Sequence, residues 1–302
     1  MNHLKTWVQA ARLRTLPLSI SGILAGTAIA IGLGYADNLL FALMLATTVA
    51  YQVTSNFAND YGDGIKGTDN EQRIGPQRAL QSGALTPASL KRGIRITAVI
   101  SGILTLVTLW RAFGLASLGY FALFFLLGML AIWSSIRYTV GVNAYGYRGL
   151  GDVFVFLFFG LLSVQGSLFL YTNTLILQGW LPAIAIGALS AGVLNLNNLR
   201  DSESDRSSGK NTLVVQIGYA NGVRYHLLLC ALAFACMLVF VLLQQSPVIY
   251  GICLLPFVAV AVHLRTVLRA KDPASLDPEL KKLALSTFFM ALLLYLVSNY
   301  FL

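Results

Sequence analysis

Apolar stretches close to 20 residues long recur along the whole chain, at roughly 15–35, 38–58, 94–113, 115–136, 150–171, 174–198, 222–244, 247–268 and 280–301. Short polar segments separate them. At 1.5 Å of rise per residue, a helix of about 20 residues crosses the ~30 Å hydrocarbon layer of a bilayer. Inside lipid every backbone N–H and C=O needs an internal partner, and a helix supplies one. A membrane barrel would need alternating strands of about ten residues, and the sequence contains none. The pattern predicts an all-α fold, a polytopic transmembrane bundle of about nine helices. Residues 1–302 read as one integral membrane domain, with a hint of two four-helix halves plus a ninth helix.

Local signals sharpen some boundaries. Thr86-Pro87 and Asp277-Pro278 each place an N-cap before a proline at the first helical position. Gly22-x-x-x-Gly26 allows close contact between helices. Lys5, Arg12 and Arg14 precede the apolar run Leu16 to Ala30, as in a signal peptide. That run leads into further spans, so a retained first helix is expected.

Composition agrees. The chain has 302 residues, 57% hydrophobic and only 11% charged, against about 25% charged in ordinary soluble domains. The net charge of +9 would suggest a nucleic-acid partner in a soluble protein. Here the distribution of charge gives another reason. With the N-terminus cytoplasmic, every Lys and Arg of the 21 except Arg111 falls on the cytoplasmic side. This is the positive-inside pattern, and it puts the C-terminus outside. No basic patch is interleaved with aromatics, so no nucleic-acid partner is expected. Cys230, Cys236 and Cys253 lie in apolar runs without a CxxC spacing and read as small buried hydrophobes. His3, His226 and His263 are scattered, with no metal-ligand spacing.

Carboxylates gather in two places. At the end of the second run and just beyond it come Asn56, Asn59, Asp60, Asp63, Lys66, Asp69 and Glu71; at the end of the sixth and just beyond it come Asn197, Asn198, Arg200, Asp201, Glu203, Asp205 and Arg206. By the topology above both sets face the cytoplasm. Helical spacing puts Asn56, Asp60 and Asp63 on one face, and Asn197, Asp201 and Asp205 on another. Grouped carboxylates repel and are costly near hydrocarbon, so they call for neutralisation. Mg²⁺ suits oxygen donors and combines one or two carboxylates with water and phosphate oxygens. Lys66, Arg73, Arg78, Arg200 and Lys210 share these loops and are candidates for binding phosphate. A charged Mg²⁺–diphosphate site at the mouth of an apolar bundle suits a polyprenyl diphosphate, with the head on the metal and the tail among helices and membrane lipid. Metal and cations would stabilise departing diphosphate, and an electron-rich acceptor would capture the allylic cation.

Other readings stay open from the residues alone. Acidic loops are often merely solvated, and Lys66, Arg73 and Arg78 also fit plain positive-inside charge. A cation-coupled transporter would use the carboxylates as an ion path, though transporters usually bury such groups near the midplane. A third segment holds Tyr138, Thr139, Tyr145, Tyr147, Arg148 and Asp152. Its tyrosines serve equally as interface-belt residues or as site residues, and Asp152 as a helix N-terminal charge or as a group near the acceptor. Gly62-x-Gly64-x-x-Gly67 has the letters of a dinucleotide fingerprint, but it follows an apolar helix and not a strand.

At these motifs the chain resembles the UbiA superfamily of intramembrane aromatic prenyltransferases. The family pairs N-D-x-x-D-x-x-x-D after the second helix with D-x-x-x-D after the sixth. Asn59-Asp60-x-x-Asp63 matches the first and Asp201-x-x-x-Asp205 the second. Arg78 falls where the family often places a diphosphate-binding arginine. The third aspartate of the first motif would fall at Gly67, and the nearest carboxylate is Asp69. The resemblance implies Mg²⁺ on Asp60, Asp63, Asp201 and Asp205, in a multi-pass protein of the bacterial cytoplasmic membrane. Three segments look like the branch acting on 1,4-dihydroxy-2-naphthoate: Arg73-Ile-Gly-Pro-Gln-Arg78, Tyr145-Gly-Tyr-Arg-Gly-Leu-Gly-Asp152 and Gly209-Lys-Asn-Thr-Leu213. For that branch the implied reaction replaces the acceptor's carboxylate with the prenyl group, releasing CO₂ and diphosphate and giving demethylmenaquinone. The sister acceptors are 4-hydroxybenzoate and homogentisate.

Overall fold

The computed structural model describes residues 3–69 and 74–300. Among the described residues the regular structure is wholly helical. Nine helices are long and apolar enough to cross a membrane: α1 Leu4–Gly32, α2 Asn38–Ile65, α3 Pro87–Phe113, α4 Leu118–Arg137, α5 Gly151–Thr172, α6 Leu177–Arg200, α7 Tyr219–Leu242, α8 Pro247–Arg269 and α9 Pro273–Tyr300. The predicted span count holds among the described residues, and several boundaries move, with α3 beginning at Pro87 and not near 94, and α9 at Pro273 and not near 280. Within α1, the residues before Leu16, which precede the predicted apolar run, form their own helix, His3–Ala11, and a 3-10 turn, Leu13–Thr15. The chain bends between them at Arg12, whose φ is 50°. The second helix does not stop near residue 58 but runs on to Ile65 through its polar end.

The predicted cap at Thr86 is present: its side chain accepts from the Ser89 N–H, with Pro87 at the first helical position. The cap expected at Asp277-Pro278 is not formed there. Asp272, before Pro273, accepts from the Ala274 N–H at 2.9 Å, while the Asp277 carboxylate pairs with Arg200.

The chain divides into two compact units. The first holds residues Met1–Leu16, Ala42–Gly151 and Asp201–Gln216; the second holds Pro17–Phe41, Asp152–Arg200 and Ile217–Leu302. The division does not fall between the first four spans and the next four. The core of the first unit joins Ala10, Ala11, Phe57, Ala58, Leu85, Leu90 and Ile94, and so places the N-terminal helix, α2 and α3 in mutual contact.

In the second unit α6 is central, packing on α5, α7 and α9. Small residues let these helices approach closely. A Cβ on Gly22 would lie 2.1 Å from Ser163 Oγ, and one on Gly26 would lie 2.5 Å from the Val164 carbonyl. The expected close contact of α1 is therefore made, against α5. Helix α5 carries a π-helical segment, Phe156–Leu162, whose Gly160 faces the backbone of Gly187 and Ala183. His226 and His263, apparently scattered in sequence, meet at 2.8 Å between their Nε2 atoms. His263 Nδ1 lies 2.7 Å from Glu279, which also pairs with Lys282. This polar chain ties α7, α8 and α9 together.

Candidate active site

The first acidic motif occupies the last turns of α2, where Asn56, Asp60 and Asp63 share a face as predicted. Two features make these carboxylates costly. They are buried, with Asp60 at 1% and Asp63 at 7% exposure, and they sit at a helix C-terminus, whose partial charge is negative. Donors answer both. Asp60 accepts the N–H groups of Ala79 and Leu80 at 3.2 and 3.3 Å, which folds the segment after the motif back over it. Asp63 accepts the Tyr147 hydroxyl at 2.8 Å and faces the Lys210 ammonium at 3.7 Å.

The second motif is built differently from the single continuous helix that its spacing suggests. Helix α6 ends at Arg200, Asp201 lies in the turn with φ −98° and ψ 10°, and a short helix follows at Ser202–Ser207. Asn197 remains on α6 in the second unit, where it accepts from Arg200 at 2.8 Å. Asp201 and Asp205 belong to the first unit, and both are buried. The break has local causes: the Arg200 guanidinium reaches Asp277 and Asn197, and the Asp201 carbonyl accepts the Asp205 N–H at 2.8 Å to begin the new helix.

Both motifs close with the same turn. After Asp63 the chain passes left-handed Gly67, φ 73°, and the Thr68 N–H returns to the Asp63 carbonyl at 3.0 Å. After Asp205 it passes left-handed Gly209, φ 74°, and the Lys210 N–H returns to the Asp205 carbonyl at 2.8 Å. A side chain at such a φ is strained. This is a backbone reason for glycine at position 67, where the resemblance would place a third aspartate.

The two motifs meet through two residues. Lys210 Nζ lies 3.7 Å from Asp63 and 3.9 Å from Asp205. Tyr147, between α4 and α5, bonds Asp63 and also Thr68, at 2.6 Å. Its ring lies 3.8 Å under the Lys66 ammonium, a cation–π contact, and its carbonyl accepts the Asn211 N–H at 3.2 Å. Burial works against charge on Lys210, but Asp63 and Asp205, with smaller contributions from Tyr147 and Asp69, outweigh it and raise its pKa above the ordinary lysine value. Lys66 moves the other way. Its partial burial, helped by Lys210 and Arg137 and opposed by Asp63, lowers its pKa. The Tyr147 phenol is pushed up by burial first and by the Asp63 charge second, so it stays a donor.

The remaining candidates divide. Arg78 Nε lies 3.9 Å from buried Asp69, in the segment that Asp60 holds down. Asn59 accepts from Thr139 at 3.3 Å, and Asn198 is buried on α6. The amide of Asn56, expected to orient ligands, donates to the Ala11 carbonyl and to Thr15, at 2.8 and 3.2 Å. Arg200, expected to hold phosphate, is a buried tie between α6 and α9. Tyr145 donates to the Ser134 carbonyl at 2.9 Å and packs on Tyr138, which turns both toward α4. Buried Asp152 lies in the second unit in the first turn of α5, where it faces Tyr225. Arg73 and Glu71 lie outside the described residues. Tyr147 was not separable from Tyr145 by sequence, since both stand in one 3-10 turn of aromatic and glycine residues.

The donor set fits Mg²⁺. Asp60, Asp63, Asp201 and Asp205 are buried and offer only oxygen, the preference of a hard cation. Asp63 and Asp205 already share one cationic partner in Lys210. Among the described residues no three His, Cys, Asp or Glu side chains form a ready metal cluster. An ion here would complete its shell from water or phosphate, as Mg²⁺ does.

An apolar helical bundle with two buried, cation-matched aspartate loops has the build of an intramembrane prenyltransferase, and the chain belongs to the UbiA prenyltransferase family, whose model matches residues 19–295. It is 42% identical to 1,4-dihydroxy-2-naphthoate octaprenyltransferase of Escherichia coli over 93% of this chain and 91% of that protein. It is 41% identical to the Haemophilus influenzae protein of the same name, over 96% and 94%. The structure of a UbiA homolog from Archaeoglobus fulgidus bound to DMAPP and Mg²⁺ shares the fold, with a TM-score of 0.67 at 13% identity, over 98% of this chain and 99% of that one.

Proposed function

We propose that the chain transfers a polyprenyl group from its diphosphate to 1,4-dihydroxy-2-naphthoate, with loss of CO₂ and diphosphate, to give demethylmenaquinone in a bacterial inner membrane. The names of its relatives support the substrates. The observation that carries the chemistry is the meeting of Asp63 and Asp205 on Lys210. Asp60, Asp63, Asp201 and Asp205 would hold Mg²⁺. The ion would draw charge from the diphosphate and so ease its departure. Lys66, Arg78 and Lys210 would bind the remaining phosphate oxygens, and Arg73 belongs with them by sequence. Tyr147 would fix the Asp63 carboxylate, and the turns at Gly67 and Gly209 would fix its neighbours. An allylic cation left by the diphosphate would be captured by the electron-rich ring carbon that bears the acceptor's carboxylate. The prenyl C–C bond forms there, and the C–CO₂ bond breaks to restore aromaticity.

The test is product mass from purified protein with Mg²⁺, mixed prenyl diphosphates and each of three acceptors: dihydroxynaphthoate, 4-hydroxybenzoate and homogentisate. Prenylated, decarboxylated naphthoquinol is expected from the first alone. Asp63→Asn should lose about a hundredfold or more in turnover, the scale of losing one preorganised electrostatic group. Full turnover by Asp63→Asn in washed membranes would refute the site.

A further inference from the structure

The helix His3–Ala11 is packed as a strap on the aspartate-bearing helix. Its inner face, Thr6, Ala10 and Ala11, is buried, and Trp7 stands edge-on to Phe57 with ring centroids 5.2 Å apart. The space that Trp7 fills is so close to α3 that a Cβ on Gly93 would lie 2.7 Å from its ring. The strap then ends in a polar latch, where the Asn56 amide donates to the Ala11 carbonyl at 2.8 Å and to Thr15 at 3.2 Å. Asn56 is one helical turn from Asp60 and on the same face. The strap and latch belong to the same compact unit as α2, whereas residues from Pro17 onward belong to the other.

The outer face of the strap has a second character. Leu4, Val8 and Leu13 are exposed at 70%, 46% and 50%, and Leu4 and Val8 lie at i and i+4, one above the other. Lys5 and Arg14 are exposed beside them. Exposed apolar side chains and cations on the short helix (Leu4, Lys5, Val8) and on the 3-10 turn after it (Leu13, Arg14) suit the headgroup boundary of a bilayer with anionic lipid, where acyl chains take the first and headgroups the second. The helix is also joined, by the bend at Arg12 and the 3-10 turn, to the apolar helix Leu16–Gly32, the part of α1 that carries the apolar run, so it is held at that boundary.

We infer that the N-terminal strap docks on the anionic bilayer interface and, through Asn56, holds the end of α2 in its working position. Asn56 thereby acts as a positioning residue. Its amide, which the sequence would give to a ligand, fastens the strap to the aspartate helix. The link to turnover rests on the prenyl transfer proposed above; the docking does not.

Two measurements on the full-length protein test this. Val8→Cys is labelled with bimane, the three native cysteines being buried, and the protein is reconstituted in phosphatidylcholine with or without phosphatidylglycerol. Brominated phosphatidylglycerol should quench the label and aqueous iodide should not; quenching by iodide alone overturns the docking. In the second measurement, phosphatidylglycerol should raise wild-type turnover about three- to fivefold, on the order of one basic residue's attraction to an anionic surface. The exposed double variant Lys5→Gln/Arg14→Gln should lose that rise and keep the turnover seen in phosphatidylcholine. Equal wild-type turnover in both vesicles overturns the coupling. No prenyl transfer in either vesicle, with the label in lipid, overturns the proposed reaction and leaves the docking standing.

Discussion

Tyr147 carries more of the site than its place in a loop suggests. One hydroxyl serves both Asp63 and Thr68, and one ring face holds Lys66. A phenol can donate one proton, so its hydrogen goes to the Asp63 carboxylate while its oxygen accepts from Thr68. Removing that hydroxyl leaves a buried carboxylate with one donor fewer. A hydrogen bond to a charged group is worth roughly 1.5–3 kcal/mol, so Tyr147→Phe should lower kcat/KM by about one to two orders of magnitude. The ring is retained, and with it the cation–π contact and the local packing. Loss of positioning at Asp63 would appear as a higher Mg²⁺ concentration for half-maximal rate, which separates it from simple destabilisation. An unchanged Mg²⁺ titration, with turnover intact, would remove Tyr147 from the site. The two flanking lysines differ in kind: Lys210 is held charged by two aspartates, while burial weakens the hold of Lys66 on its proton.

At the scale of elements, the second unit depends on places where a side chain has no room. A Cβ on Gly160 would lie 2.5 Å from the Gly187 Cα and 2.6 Å from the Ala183 carbonyl. Both obstacles are backbone, so neither can swing aside. The glycine lies in the π-helical segment of α5, where the extra residue per turn already makes the helix irregular. Gly160→Ala must therefore push α5 and α6 apart, at a cost of at least the ~1–3 kcal/mol typical of overpacking. Gly102 on α3 is the control, since its nearest neighbour to an added Cβ is Met129 at 3.9 Å. The measurement is the melting temperature of each variant in one detergent. Gly160→Ala should melt lower by several degrees, while Gly102→Ala should match the wild type or exceed it. Equal melting would mean that α5 and α6 do not pack as closely as described.

For the whole molecule, the parts legible in sequence are those that the bilayer dictates. Hydrocarbon thickness fixes the length of an apolar run, so nine runs could be counted without any tertiary knowledge. The aspartate motifs were legible for a related reason: carboxylates at the ends of apolar helices stand out. Features set by tertiary partners were hidden. Asp60 and Asp63 lie beyond the apolar run that ends near residue 58, and the donors that meet them as α2 continues to Ile65 come from residues 79, 80, 147 and 210, far along the chain. Asn56 and Arg200 have the chemistry of ligand-binding residues, but Ala11, Thr15 and Asp277 engage them. His226 and His263 are 37 residues apart, a separation with no periodic signature. Charge distribution belongs to the first group and yields the remaining prediction. Every Lys and Arg except Arg111 falls on one side if the N-terminus is cytoplasmic and nine spans follow. Positively charged loops are retained inside, so inverting the chain would carry all but one of its cations outward. Two exposed positions report on this, Glu203 beside the second aspartate motif and Leu175 between α5 and α6. Since the native cysteines are buried, Glu203→Cys and Leu175→Cys each offer one accessible thiol to a membrane-impermeant maleimide. In intact cells Leu175→Cys should label and Glu203→Cys should not; in inverted vesicles the pattern should reverse. The opposite result would place the aspartates on the outer face, away from a cytoplasmic supply of polyprenyl diphosphate, and the proposed reaction would lose its access to substrate.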